Sequence, residues 1–96
     1  MMSLAGRPIH RNGAAPDSAA NYARVEFGAQ VKHILIQNTG ANPLQVSFDN
    51  GRTYFEIPVI SASSTGILSG HWFLGHVIVQ GNGGATDYQI IATQMT

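Results

Sequence analysis

Between Lys32 and Pro58 apolar and polar positions alternate in three short runs separated by two turns. The breaks are Thr39-Gly40-Ala41-Asn42-Pro43 and Asp49-Asn50-Gly51-Arg52. Alternation with period two is the mark of a strand with one buried face. Asn50-Gly51 suits a two-residue type I′ hairpin turn, whose two central residues both need positive φ. That turn predicts Leu44 opposite Ile57, Val46 opposite Phe55 and Phe48 opposite Thr53 on one face. Gln45/Glu56, Ser47/Tyr54 and Asp49/Arg52 fall on the other, and a one-residue slip would mix the two sets. A five-residue loop over 39–43 predicts Ile36 opposite Val46 and Ile34 opposite Phe48, again apolar against apolar. The expected unit is a three-stranded meander with Ile34, Ile36, Leu44, Val46, Phe48, Phe55 and Ile57 inside. Leu35, Ser47 and Tyr54 line up on its outer face.

The flanking chain reads the same way. Val25 and Phe27 alternate with Arg24 and Glu26 in a half-buried strand that ends at Gly28. Pro58 closes the meander, and residues 59–66 form a connection of small residues. A short strand follows over Gly66–Ser69 and a longer, β-branched one over Phe73–Gln80. Gly81-Asn82-Gly83-Gly84-Ala85-Thr86 is a flexible turn before a last strand, Asp87–Gln94, whose register against Phe73–Gln80 stays open. Ile78 and Ile91 sit beside Val77, Val79 and Ile90, so the late strands carry apolar residues on both faces. Residues 1–22 hold Pro8 and Pro16 and show no apolar period, which opposes a helix and points to an extended N-terminal arm. The expected fold is all-β: a small antiparallel β-sandwich or jelly-roll-like barrel of about seven to eight strands. The arm covers 1–22 and the β-sandwich domain 23–96.

Composition changes the picture in one respect. The chain has 96 residues, is 44% hydrophobic and only 10% charged, and carries no formal net charge. Globular chains are usually about 25% charged, and neutrality favours association, so much of this surface is expected to be covered in the working state. With no cysteine, disulfides and thiolate metal sites are excluded. No apolar run approaches the ~20 residues of a membrane helix. Residues 1–28 lack the apolar core of a signal peptide, so synthesis in the cytoplasm is expected.

Candidate chemistry is sparse. His10, His33, His71 and His76 form neither His-x-His nor His-x-x-x-His, and they read as surface or interface residues without a metal. Asp49-Asn50-Gly51 with Glu56 lacks the alternate oxygen ligands of a calcium loop. Asp49 reads instead as a turn residue paired with Arg52. The Gly81–Gly84 stretch lacks the lysine and following helix of a phosphate loop. Glu26 and Glu56 lie on predicted outer faces and do not form a glycosidase pair. Basic residues are scattered, so no nucleic-acid surface is expected. No cofactor, acid, base or nucleophile set is expected, and neither is an enzyme. Tyr22, Tyr54 and Trp72 leave one alternative, a carbohydrate-binding platform.

Leu35 to Pro58, with the late glycine turn and Asp87-Tyr88-Gln89-Ile90-Ile91-Ala92, resembles small β-sandwich structural proteins of tailed bacteriophage virions. The Asn38-Thr39-Gly40 step and the strand ending in Ser47-Phe48-Asp49 carry the resemblance, which spans about residues 32–94. It implies a non-enzymatic virion protein, most of all a capsid decoration, or cement, protein on the outer shell. Such proteins sit as trimers at local threefold axes and brace major capsid subunits, with no membrane or nucleic-acid role. A tail, collar or baseplate component is the alternative. Three contact regions are expected: the arm with Leu4, Arg7, Ile9 and Arg11; the outer patch of Leu35 and Tyr54; and His71, Trp72 and Phe73 as an aromatic anchor.

Overall fold

The computed structural model describes residues 7–19 and 21–95. All regular structure among them is β: β1 (Pro8–Ala15), β2 (Ala23–Asn38), β3 (Leu44–Ser47), β4 (Phe55–Ile57), β5 (Ile67–Gly70), β6 (Leu74–Gly81) and β7 (Thr86–Gln94). The seven strands form one hydrogen-bonded sheet in the order β1-β7-β2-β6-β3-β4, and β5 pairs with β2 off that path. Every strand pairing is antiparallel.

The organising element is β2, which runs through both halves of the molecule. Its first part, Ala23–Glu26, pairs with Val79–His76 of β6. Its second part, His33–Asn38, pairs with Thr93–Tyr88 of β7, and Ile34–Gln37 pairs on the opposite edge with Gly70–Ile67 of β5. The switch of partners falls at a register shift between Glu26 and Val31, where Gly28 adopts a φ of 74°. A glycine takes that left-handed conformation without a Cβ clash, and the bulge bends the strand. The sheet folds over itself at this bend. β1, β7, the second part of β2, and β5 make one layer; the first part of β2 with β6, β3 and β4 makes the other.

Both layers feed one core. Ile34 and Ile36 of β2, Leu44 and Val46 of β3, Val77 and Val79 of β6, and Tyr88, Ile90 and Ala92 of β7 form a single buried cluster with Val25, Phe27, Val31, Ile57 and Ala15. Ile9, Phe48, Leu68, Trp72 and Leu74 pack against its margins. Burial raises the Tyr88 phenol above its ordinary range, since the low-dielectric surroundings disfavour the phenolate.

The β3–β4 hairpin has the predicted register: Leu44 pairs with Ile57, Gln45 with Glu56 and Val46 with Phe55. Asn50 and Gly51 both have positive φ, 64° and 93°. The turn is wider than two residues, however. Pairing stops at Val46 and Phe55, so neither Ser47 and Tyr54 nor Phe48 and Thr53 are partners. Side chains replace the missing ladder. The Asp49 carboxylate accepts from the Arg52 and Thr53 amides, and the Ser47 hydroxyl accepts from the Gly51 amide at 2.7 Å. Asp49 therefore binds the backbone of Arg52 and not its guanidinium.

The predicted meander does not form. β3 pairs with β6 and β4, not with β2, because both edges of the second part of β2 are already taken by β7 and β5. The 39–43 loop carries the chain from one layer to the other. Gly40 makes that crossing possible: a Cβ there would lie 2.1 Å from Thr86 Oγ1 and 2.3 Å from the Asp87 amide. β6 and β7 also lie in different layers and share no register. The strands expected on either side of Gly28 are one continuous β2. Residues 8–15, assigned from sequence to an arm, are the edge strand β1, paired along its length with β7 from Pro8↔Thr93 to Ala15↔Thr86.

Candidate interaction surfaces

The N-terminal candidates are tied to the fold. Arg7 is exposed, while its carbonyl accepts from the Gln94 amide at 2.8 Å. Ile9 packs on the core margin. Arg11 reaches across from β1 to the β2 bulge, donating to the Glu26 carbonyl at 3.0 Å and the Phe27 carbonyl at 3.4 Å. It thus satisfies backbone acceptors left unpaired where β2 changes partner. Leu4 lies outside the described residues.

Leu35 and Tyr54 are not brought together. Leu35 points outward from the first layer, paired with Ile91 on one side and Ser69 on the other. Tyr54 lies in the β3–β4 turn of the second layer, its hydroxyl over Gly51. Ser47 is buried, its hydroxyl donating to Asp49 at 2.8 Å.

The segment after β5 holds the third group. Trp72 lies flat on Phe48, with ring centroids 4.1 Å apart and planes 8° from parallel, and Phe48 continues to Phe55 at 5.7 Å. Trp72 also covers Gly70, where a Cβ would lie 2.6 Å from its ring. One face of the indole is used by Phe48, and the ring packs against the core margin, which leaves only part of it exposed. Phe73 is 66% exposed beside it, and Phe55 is 46% exposed because β4 is a short edge strand. His71 meets His33 edge-on at 4.8 Å.

The two outer faces differ in charge, the first carrying two uncharged rows with Asp87 at their end. On the first layer, paired residues make two rows across four strands: His10, Ile91, Leu35 and Ser69, then Asn12, Gln89, Gln37 and Ile67. None of these eight is Lys, Arg, Asp or Glu. Ile91 and Ile67 are 42% and 45% exposed. Two open depressions of about 420 and 220 Å³ lie along β1 and β7 and share Asn12 and Gln89. On the second layer Arg24 and Glu26 form an ion pair, Arg24 approaches His76 Nδ1 at 3.5 Å, and Asn82 donates to Glu56 at 2.9 Å. Sequence reasoning singled out Leu35 on the first face and missed Ile67, since strand pairing far along the chain is what puts the two side by side.

A polar hub was also missed. Asn38 is fully buried. Its Nδ2 donates to the Asn42 carbonyl at 2.9 Å and the Ile57 carbonyl at 3.0 Å; its Oδ1 accepts from the Gly40 amide at 3.1 Å and the Thr86 hydroxyl at 2.9 Å. Four bonds satisfy the amide completely. They join the end of β2, the crossing loop, the end of β4 and the start of β7.

Among the described residues no three His, Cys, Asp or Glu side chains converge as a metal site. The Asp49 carboxyl is held down to about 2, first by the Thr53 amide and next by the Ser47 hydroxyl. That is turn chemistry: the carboxylate holds the backbone of the hairpin bend.

No family model and no curated protein matches the sequence. Among solved structures, a chain from a study of Bacillus endospore appendages, described there as a novel family of disulfide-linked pili, aligns with TM-score 0.54. The match covers 94% of this chain and 87% of that one at 13% identity. At that identity it shows a shared fold and nothing further.

Proposed function

We propose that this chain is a non-enzymatic structural subunit of a virion, a decoration protein that binds the outer capsid and braces neighbouring major capsid subunits. The observation that carries this reading is the pair of uncharged rows on the outer face of the first layer, bounded at one end by Asp87. A surface of Ile, Leu, Asn and Gln in fixed rows suits burial against another protein, because interface cores are depleted of charge and a flat sheet loses little entropy on docking. With strands about 4.8 Å apart and same-face residues about 6.8 Å apart, the two rows cover roughly 300 Å². A stable pairwise interface needs about 800 Å² per partner. One such face is thus too small alone and suits attachment through several contacts at once, as in a homotrimer seated on a lattice. Membrane and nucleic acid have no part in this role.

A tube or ring component (tail, collar or baseplate) is the second reading, favoured by the fold shared with a pilus chain. Lacking cysteine, this chain would hold such an assembly without disulfides. The test is occupancy on purified capsids with wild type and Ile91→Lys. Wild type binds in a fixed ratio and the variant, folded but charged on this face, dissociates. Equal occupancy of the two would refute this use of the face.

A further inference from the structure

We infer that His33 and His71 form a two-imidazole site for a borderline transition-metal ion, with Zn²⁺ as its representative. The sheet builds the pair. The β2–β5 ladder ends at Ile34 and Gly70, and just beyond it the rings of His33 and His71 come side by side. The rings stand with centroids 4.8 Å apart and planes inclined by 63°.

That separation fits shared ligation. With a metal–nitrogen bond of about 2.0–2.1 Å, a ring centroid lies roughly 3.2 Å from the ion, and two imidazoles at angles between square and tetrahedral then stand about 4.5–5.2 Å apart. Rotation of the two side chains about their χ angles is what brings one nitrogen of each ring to a shared point. His71 is exposed and His33 half-buried, so an ion reaches the pair from solvent. Imidazole nitrogen selects Zn²⁺, Cu²⁺ or Ni²⁺ over the hard cations Mg²⁺ and Ca²⁺. Two protein ligands leave the remaining positions to water, which makes this an open and modest-affinity site. Binding ties the start of the 71–73 segment to β2.

The test is a titration of the full chain with zinc chloride, read by calorimetry and by the histidine side-chain resonances. Saturable binding is expected, with the largest shifts at His33 and His71 and reversal by a chelator. His33→Gln and His71→Gln each weaken it about tenfold or more, since even outer-shell changes cost metal sites about 10–100-fold. His10→Gln and His76→Gln leave it unchanged. All four are surface substitutions whose fold is checked by unchanged backbone resonances. Absence of saturable binding, equal binding in the His33 and His71 variants, or equal binding of magnesium would overturn the site.

Discussion

Replacing Asn38 by alanine deletes the polar hub while leaving the apolar core intact. Two of its four bonds, to the Ile57 carbonyl and the Thr86 hydroxyl, lie in buried surroundings; the other two are partly buried. A buried group left without a partner costs about 1–3 kcal/mol, and water can replace the partly buried pairs more cheaply. The expected loss is about 3–5 kcal/mol, a large share of the roughly 5–10 kcal/mol total stability of a small domain. Thr86→Val removes one of these bonds and is expected to cost about 1–2 kcal/mol. Because both changes delete the same bond, the double variant should fall short of additivity by about 1 kcal/mol. Urea unfolding followed by Trp72 fluorescence reads all four members of the cycle. A loss under about 1 kcal/mol for Asn38→Ala, or strict additivity with Thr86→Val, would refute the hub.

Other predictions follow from single contacts. Gly40→Ala should leave the chain largely unfolded or strongly destabilised by circular dichroism, because its Cβ would meet backbone at Asp87 as well as the Thr86 hydroxyl; a folded variant of near-native stability would contradict the loop geometry. Asp49 has a depressed carboxyl value, so the stability it adds is complete above the ordinary 3.8 and is lost as pH falls toward about 2. The Arg52 and Thr53 amide resonances should move across that window in wild type and not in Asp49→Asn. Arg11→Ala should speed hydrogen exchange along β1 and at the β2 bulge while leaving β3 and β4 unchanged, since its guanidinium bridges only the former pair.

How much the sequence disclosed depended on the range of the interaction. The β3–β4 register was legible because Asn50-Gly51 and strict alternation are both local. The β2–β3 pairing looked equally sound on local grounds and failed because β5 and β7, distant in sequence, occupy both edges of β2. Pro8–Ala15 read as part of an arm because the prolines oppose a helix and its apolar residues show no period; its partner β7, not its own pattern, makes it a strand. Phe55 was placed inside by parity and emerged at the rim because β4 is a short edge. Asn38 read only as the last residue of a strand, and only the convergence of four backbone segments gives its amide a buried role. Leu35 was correctly put on an outer face, whereas its neighbours Ile91 and Ile67, and the facing of His33 by His71, depend on ladders no local pattern reveals.

The proposed structural role on a capsid is tested most directly by a cryo-electron-microscopy map of purified particles that contain this chain. Repeated copies of the seven-stranded fold are expected on the outer shell, with Leu35, Ile91 and Ile67 buried against another protein. Particles complete without the chain, or copies whose first-layer face is turned to solvent at every position, would contradict it.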